Sequence, residues 1–221
     1  MLHFLFLYKL KIKMNKFINE TRVILIGGAS HTGKSTLAQA LASHLGWNYR
    51  SCDKLARHPG RPSVSAYGKP IPEHVIKHYS ELSVEALFLD VLSHYSQNVI
   101  PQVETIVHSH TSGKSRECLI LEGSALWPAF VTNLVSKKGV KAIWLTASDQ
   151  LLQNRIKHDS NFCNVCENEK YLIQKFLHLT LFYNKRMREE IDRLGYTCID
   201  VESVSTAEEL LNKCIDCSRL H

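Results

Sequence analysis

Residues 28–35 read Gly28-Ala29-Ser30-His31-Thr32-Gly33-Lys34-Ser35, and no other stretch constrains the fold of this 221-residue chain as much. They match the spacing G-x-x-x-x-G-K-[ST] at every fixed position, and Thr36 follows. Val23 to Ile26, immediately before, is an unbroken valine, isoleucine and leucine run, the pattern of a strand buried on both faces of a parallel sheet. From Lys34 onward Leu37, Ala38, Leu41, Ala42 and Leu45 recur at three- and four-residue spacing, so a helix starts inside the loop and stops at Gly46. Glycines let successive backbone N–H groups converge on one point, and the helix N-terminus adds partial positive charge there. A polyphosphate suits that point. Lys34 would reach its β and γ phosphates, and the Ser35 hydroxyl would hold Mg²⁺.

Length and composition fit one soluble α/β domain with a substantial core. We expect residues 1–20 to be an extension outside the core and residues 21–221 to form a single domain. Leu2 to Leu7 is apolar, but Lys9, Lys11 and Lys13 follow it rather than precede it, which is the wrong order for a secretory signal. Met14 stands just before the polar Asn15 and Lys16, which suits an extended start. No stretch reaches the length of a membrane span, so no membrane association is expected. Seven cysteines, an odd number, read as reduced thiols and a cytoplasmic location. The 27 Lys and Arg against 21 Asp and Glu form no basic stripe with interleaved aromatics, so nucleic acid is not an expected partner.

Trp47 to Cys52 reads as a second strand that ends at Asp53. A carboxylate at a strand's carboxyl end faces the crevice where open α/β sheets bind ligands. There Asp53 would accept a proton from an acceptor hydroxyl or help hold Mg²⁺ through water; alternatively it caps a helix at Lys54. Arg57 and Arg61, in a loop broken by Pro59-Gly60 and Pro62, offer planar forks to a carboxylate or phosphate of a second substrate, or are simply solvated. Pro72 to Ser109 has helical periodicity, broken near Asn98 to Pro101, with Ile76, Tyr79, Leu82, Ala86, Leu87, Leu89 and Leu92 on one face. His74 and His78 lie one turn apart without an acidic motif around them, which reads as a surface pair.

Cys118 to Leu121 is a third buried strand, and Glu122 at its end would orient Mg²⁺ waters or the nucleophile, or act as a cap. Ala142 to Leu145 and Cys198 to Val201 supply the fourth and fifth strands. A helix from Gln150 through Lys157 follows the fourth strand, another runs from Tyr171 to Leu194, and a capped helix start lies at Ser205. Cys163-x-x-Cys166 and Cys214-x-x-Cys217 are too far apart for an ordinary zinc ribbon.

This order of GGASHTGKST, a strand ending in Asp53, a helical insert, LILEGS, LLQNRIKHD and CIDV resembles the P-loop small-molecule kinase superfamily of nucleoside, nucleotide, shikimate and gluconate kinases. The resemblance implies a three-layer α/β fold of the P-loop NTPases, with a five-stranded, mainly parallel sheet, a helical insert after strand 2 and a lid segment. It implies that Arg155 stacks near the base or reaches the transferring phosphate, and that residues 158–170 form the lid. That lid holds no arginine, and Arg186 and Arg188 are the nearest substitutes, unless they form an exposed basic helix face. The reading that follows is an ATP- and Mg²⁺-dependent phosphotransferase, or kinase, that moves the γ-phosphate to a hydroxyl of a small metabolite. In it, Gly28 to Thr36 cradle the nucleotide, and Lys34, Asp53, Glu122 and Arg155 act on the reacting groups. Ser35, Asp53 and Glu122 hold the metal, while Arg57 and Arg61 bind the acceptor. A nucleotide-hydrolysing regulatory protein is the main alternative, although N-K-x-D is absent: Asn184-Lys185 is followed by Arg186 and Met187. A nucleic-acid end kinase, which would bind with a steep salt dependence, ranks third.

Overall fold

A computed structural model describes residues 20–56, 58, 62, 70–204, 206, 209, 212 and 213. Arg57, Arg61, the N-terminal extension, Cys214 and Cys217 lie outside the described residues, as does most of the closing helix expected from Ser205. The core is a five-stranded sheet in which every pairing is parallel. Its strands are β1 (Val23–Gly28), β2 (Asn48–Ser51), β3 (Leu119–Glu122), β4 (Val140–Thr146) and β5 (Cys198–Asp200), in the order β2-β3-β1-β4-β5. Strand β1 is central and wholly buried, as its uninterrupted apolar run requires.

Alternation along β1 sends its side chains into two separate layers of core. Val23 and Leu25 join the larger cluster, while Ile24 and Ile26 join a smaller one with Leu41, Ile143 and Ile199. Helix α1 (Lys34–Leu45) covers the smaller side through Ala38, Leu41 and Ala42 and ends on Gly46, whose φ of 67° is the left-handed cap anticipated from the glycine. The larger side is covered by the helical insert, α2 (Glu73–Glu81), α3 (Val84–His94) and α4 (Ile100–Thr111), together with α5 (Pro128–Val135) and the 28-residue α7 (Glu167–Leu194). Between β4 and α7 runs α6 (Asp149–Asp159), capped by the Ser148 side chain, which accepts from Leu151 N–H. This is the three-layer arrangement read from the sequence.

Several elements differ from expectation. The insert is not broken at Pro101: five residues, Tyr95–Val99, form a π turn that carries α3 directly into α4, and Pro101 follows that turn, where the wider hydrogen-bond spacing accommodates its missing N–H. The break comes earlier, at Leu82, where Ser83 caps α3. Ile76 and Leu89 are exposed rather than part of the core face. Helix α5 gave no periodic signal, because eight residues opened by Pro128 span barely two turns. The segment expected as a lid is short: Asp159 still belongs to α6, Phe162–Asn164 is one 3₁₀ turn, and residues 167–170 open α7. Phe162 and Val165 pack on Ile156, Ile173 and Leu177, which holds that turn against α6 and α7.

One contact couples the sheet to its covering layer. Trp144 is fully buried on β4, donates from Nε1 to Leu126 O at 2.9 Å and stacks on Tyr196. It lies against Gly27 on the neighbouring strand, where an added Cβ would fall 2.5 Å from Trp144 Cδ1. A Gly27→Ala variant is therefore expected to lose about 1–3 kcal/mol by overpacking, read as a lower midpoint in urea unfolding.

Candidate active site

Each strand of a parallel sheet ends at the same edge, so residues just past the carboxyl ends of β1, β2 and β3 meet there. Leaving β1, the chain turns at Gly28, with φ 153°; a Cβ there would lie 2.8 Å from both Leu145 O and Thr32 Oγ1. Thr32 Oγ1 and Lys34 Nζ both donate to Ala29 O, at 2.9 and 2.7 Å, and draw the loop into a closed ring. Gly33, at φ 91°, opens α1 without any side-chain cap and with no acidic residue in the first turn. The first backbone N–H groups of α1 therefore remain available to an anion. Ser35 and Thr36 are exposed at this helix start.

Arg155 on α6 reaches the loop directly. Its Nη1 donates to His31 O at 2.9 Å, and it stands 3.6 Å from the position of a Cβ on Gly33. His31 itself adopts φ 62°, uncommon for a residue with a side chain. Its ring is held by Asp159 Oδ2 at 3.3 Å from Nε2, by Ser30 Oγ at 3.1 Å from Nδ1, and edge-on by Phe176 of α7. The loop is thus tied to the end of α6 and to α7, a linkage the motif does not disclose.

Glu122 lies within β3 rather than after it and is 1% exposed. Its Oε1 accepts from Tyr49 Oη at 3.0 Å, while Oε2 is buried without a hydrogen-bond partner. Burial and the Glu122 charge together raise the Tyr49 hydroxyl above its usual pKa, so it stays a donor. An orphaned carboxylate oxygen on the loop side of the sheet fits a cation brought in with a phosphate ligand. Of the two roles weighed for Asp53, the cap is filled by another residue: Ser51 Oγ accepts from Asp53 N–H at 3.3 Å to open the turn Cys52–Lys54. Gly123 lets Asp53 approach, since a Cβ there would lie 3.2 Å from Asp53 Oδ1 and 2.8 Å from Cys52 Cβ. Burial, followed by the charges of Asp53 and Glu122, pushes the Cys52 thiol well up, so it remains protonated.

Two cavities meet along this edge. One, of about 760 Å³, is lined by Ser30 to Leu37, Arg155 and Asp159, with an apolar far wall from Ile199, Val201 and Val204. The other, of about 560 Å³, lies under the insert, and Tyr79, Tyr95, Phe176, Leu179 and Tyr183 line it. Ser30, Asp53 and Ser124 line both. Tyr183 Oη donates to Ser124 O at 2.7 Å. Burial first and the Asp53 charge second raise the Tyr95 hydroxyl, which stays neutral. These aromatic residues were not singled out as ligand contacts, because they come from α2, the π turn and α7, and nothing in the sequence joins them. The candidate lid cations lie elsewhere. Arg186 pairs with Glu189 on the exposed face of α7, and Arg188 donates from Nη2 to Ala147 O, which also accepts from Asn184 Nδ2.

No protein-family model and no curated protein matches the chain. Among solved structures it is similar to a gluconokinase from Sinorhizobium meliloti 1021, at 19% identity and TM-score 0.49 over 90% of this chain and 92% of that one. It is also similar to a deoxyadenosine kinase from M. mycoides with bound dATP, at 15% identity and TM-score 0.44 over 89% and 99% of the two chains. A shikimate kinase from Acinetobacter baumannii in complex with shikimate matches at 17% identity and TM-score 0.41 over 94% and 97%. The parallel sheet order and the glycine-rich loop after β1 give this chain the three-layer α/β fold of a P-loop protein.

The two glycines that frame α1 and its loop separate binding from stability. Gly28→Ala is expected to weaken a fluorescent ATP analogue by about 10–100-fold, the scale of one or two charge-assisted hydrogen bonds. Gly46→Ala meets no atom within 4 Å but keeps a positive φ. It is expected to cost about 1 kcal/mol of stability and leave nucleotide affinity unchanged.

Proposed function

We propose that the protein transfers the γ-phosphate of ATP, with Mg²⁺, to a hydroxyl of a small molecule held in the cavity beneath the helical insert. The observation that carries this reading is the seam: a cavity built on the phosphate loop and a separate, largely aromatic cavity share Ser30, Asp53 and Ser124. A hydrolase needs only the first cavity and a water. A second cavity lined by the same carboxylate is what an acceptor requires, and its volume of about 560 Å³ suits a small molecule better than a nucleic-acid end.

In this reading the phosphates rest on the uncapped start of α1, with Lys34 and Arg155 as the cations beside them. Arg155 is anchored on His31 O, so its charge is fixed before the ligand arrives. The nucleobase lies toward Ile199, Val201 and Val204. Ser35 would hold Mg²⁺, with Glu122 and Asp53 accepting from its water shell; bound there, the ion neutralises charge on the β and γ phosphates. Asp53, exposed where the cavities join, accepts the proton of the acceptor hydroxyl. The acceptor is an apolar or aromatic ring that carries a hydroxyl, because its cavity offers aromatic faces and edges and few charges. Arg57 and Arg61 remain candidates for any acidic group it carries. No helix among the described residues is long and apolar enough to cross a membrane.

The test is transfer of labelled γ-phosphate from ATP into a fractionated pool of small metabolites. A labelled metabolite is expected with the unaltered protein and none with Lys34→Ala. Label found only as free phosphate would replace this reading with the regulatory, nucleotide-hydrolysing one. With an acceptor in hand, Asp53→Asn, which keeps an oxygen that can accept from the metal's water shell, is expected to lower kcat by about 10²–10⁴-fold and to change the Kd for ATP far less. A matching fall in ATP affinity would leave Asp53 its contact with that water shell and remove its role as base.

A further inference from the structure

The insert carries a cluster of imidazoles that the phosphate chemistry does not use. His58 follows the turn that bears Asp53, His78 lies near the end of α2, and Asp90 and His94 lie on α3. His78 Nε2 and His58 Nε2 both face a single oxygen, Asp90 Oδ2, at 3.8 and 3.5 Å. One ligand atom from each of His58, His78 and Asp90 lies within 4.8 Å of the other two. From these three residues we infer a binding site for one divalent transition-metal cation, zinc by its ligand set, at the edge of the aromatic cavity.

The distances favour a cation over a hydrogen-bonded cluster. Both contacts to Asp90 exceed a good N–H···O hydrogen bond, yet they converge on one point. Zinc bonded at about 2.0–2.1 Å sets tetrahedral neighbours about 3.3 Å apart, so the observed separations need to contract by only about 0.2 Å, 0.5 Å and, at most, 1.5 Å. Rotation of imidazole rings and of an exposed Asp90 side chain supplies movement on that scale. The two imidazoles are shielded, with side chains 20% and 13% exposed, while Asp90, 51% exposed, faces them from the solvent side. Among the described residues Asp90 pairs with no lysine or arginine, and His58 Nε2 is buried without a hydrogen-bond partner.

His94 packs its ring against His58 at 4.9 Å, and its Nδ1 meets Asn98 Nδ2 at 3.3 Å, which orients the neighbour of a ligand. Two imidazoles with one carboxylate leave a fourth position for water. Since His58 and His94 also line the cavity, a bound ion would tie the chain beyond Asp53 to α2 and α3 at the cavity's edge. This site does not depend on the phosphotransfer reading.

The test uses untagged, metal-free full-length protein titrated with Zn²⁺ in competition with a chromogenic chelator, and with Co²⁺ as a visible-absorption probe. One equivalent of Zn²⁺ is expected to bind, with the intense Co²⁺ bands of a four-coordinate site. Asp90→Ala, whose side chain is half exposed, and His78→Ala are each expected to weaken Zn²⁺ at least about 100-fold with an unchanged circular dichroism spectrum. Exposed His74, one turn from His78, serves as the control: His74→Ala should bind as the unaltered protein does. A paired Cys163→Ser and Cys166→Ser variant removes an exposed cysteine pair outside the cluster and should also bind unchanged. Retained binding in both Asp90→Ala and His78→Ala, loss in the cysteine variant, or no binding at all would overturn the site. Lys34→Ala should bind Zn²⁺ normally whether or not the protein proves to be a kinase.

Discussion

The closed turn from Gly28 to Lys34 is the constraint on which the rest of the carboxyl edge depends. It forms because a residue without a Cβ lets the chain pass under Leu145 O, after which Ala29 O accepts from both Thr32 and Lys34. Folding α1 with its first N–H groups uncapped leaves donors unpaired, a cost of a kind that most helices avoid. An anionic ligand is the natural source of the missing partners, and Arg155 and His31 hold the loop in place to receive it. Binding strength is preorganised in backbone geometry here more than in any one side chain.

A second division runs across the sheet edge. Ser30, Asp53 and Ser124 form a narrow polar seam, with the loop on one side and aromatic rings on the other. The groups around the seam are kept in defined states by burial: Cys52 and Tyr95 stay protonated, and Glu122 takes one hydrogen bond from Tyr49 while its second oxygen faces none. Asp53 is the acidic side chain that both cavities share, so the proposed chemistry converges on it.

The helical insert builds the second cavity by an irregularity. Within the run from Val84 to Thr111 the π turn Tyr95–Val99 adds a residue to one turn, and His94, Tyr95 and Val99 line the cavity while α4 packs Val103 and Val107 into the core. His94, at the end of α3, packs its ring beside His58, which links the cavity wall to the histidine cluster.

Local signals in the sequence determined the phosphate loop, the central strand, the helix that follows and the parallel α/β class, because each rests on backbone chemistry or periodicity within a few residues. The positions of Lys34, Ser35, Asp53 and Glu122 at the carboxyl edge were legible for the same reason, each standing at the end of a strand or inside a motif, whereas Arg155 was placed there by the family resemblance alone. Tertiary structure alone decided what lies far apart in sequence but close in space. Arg155 meets His31 across 124 positions, and Tyr49 meets Glu122 across 73. The π turn replaced the break expected at Pro101, and α5 was too short to show a period. His78, read as half of a surface pair with His74, faces His58 and Asp90 instead, because α2 and α3 both pack on α7 and so lie side by side there. Such contacts depend on which helix faces pack together, and no local pattern of residues encodes that choice.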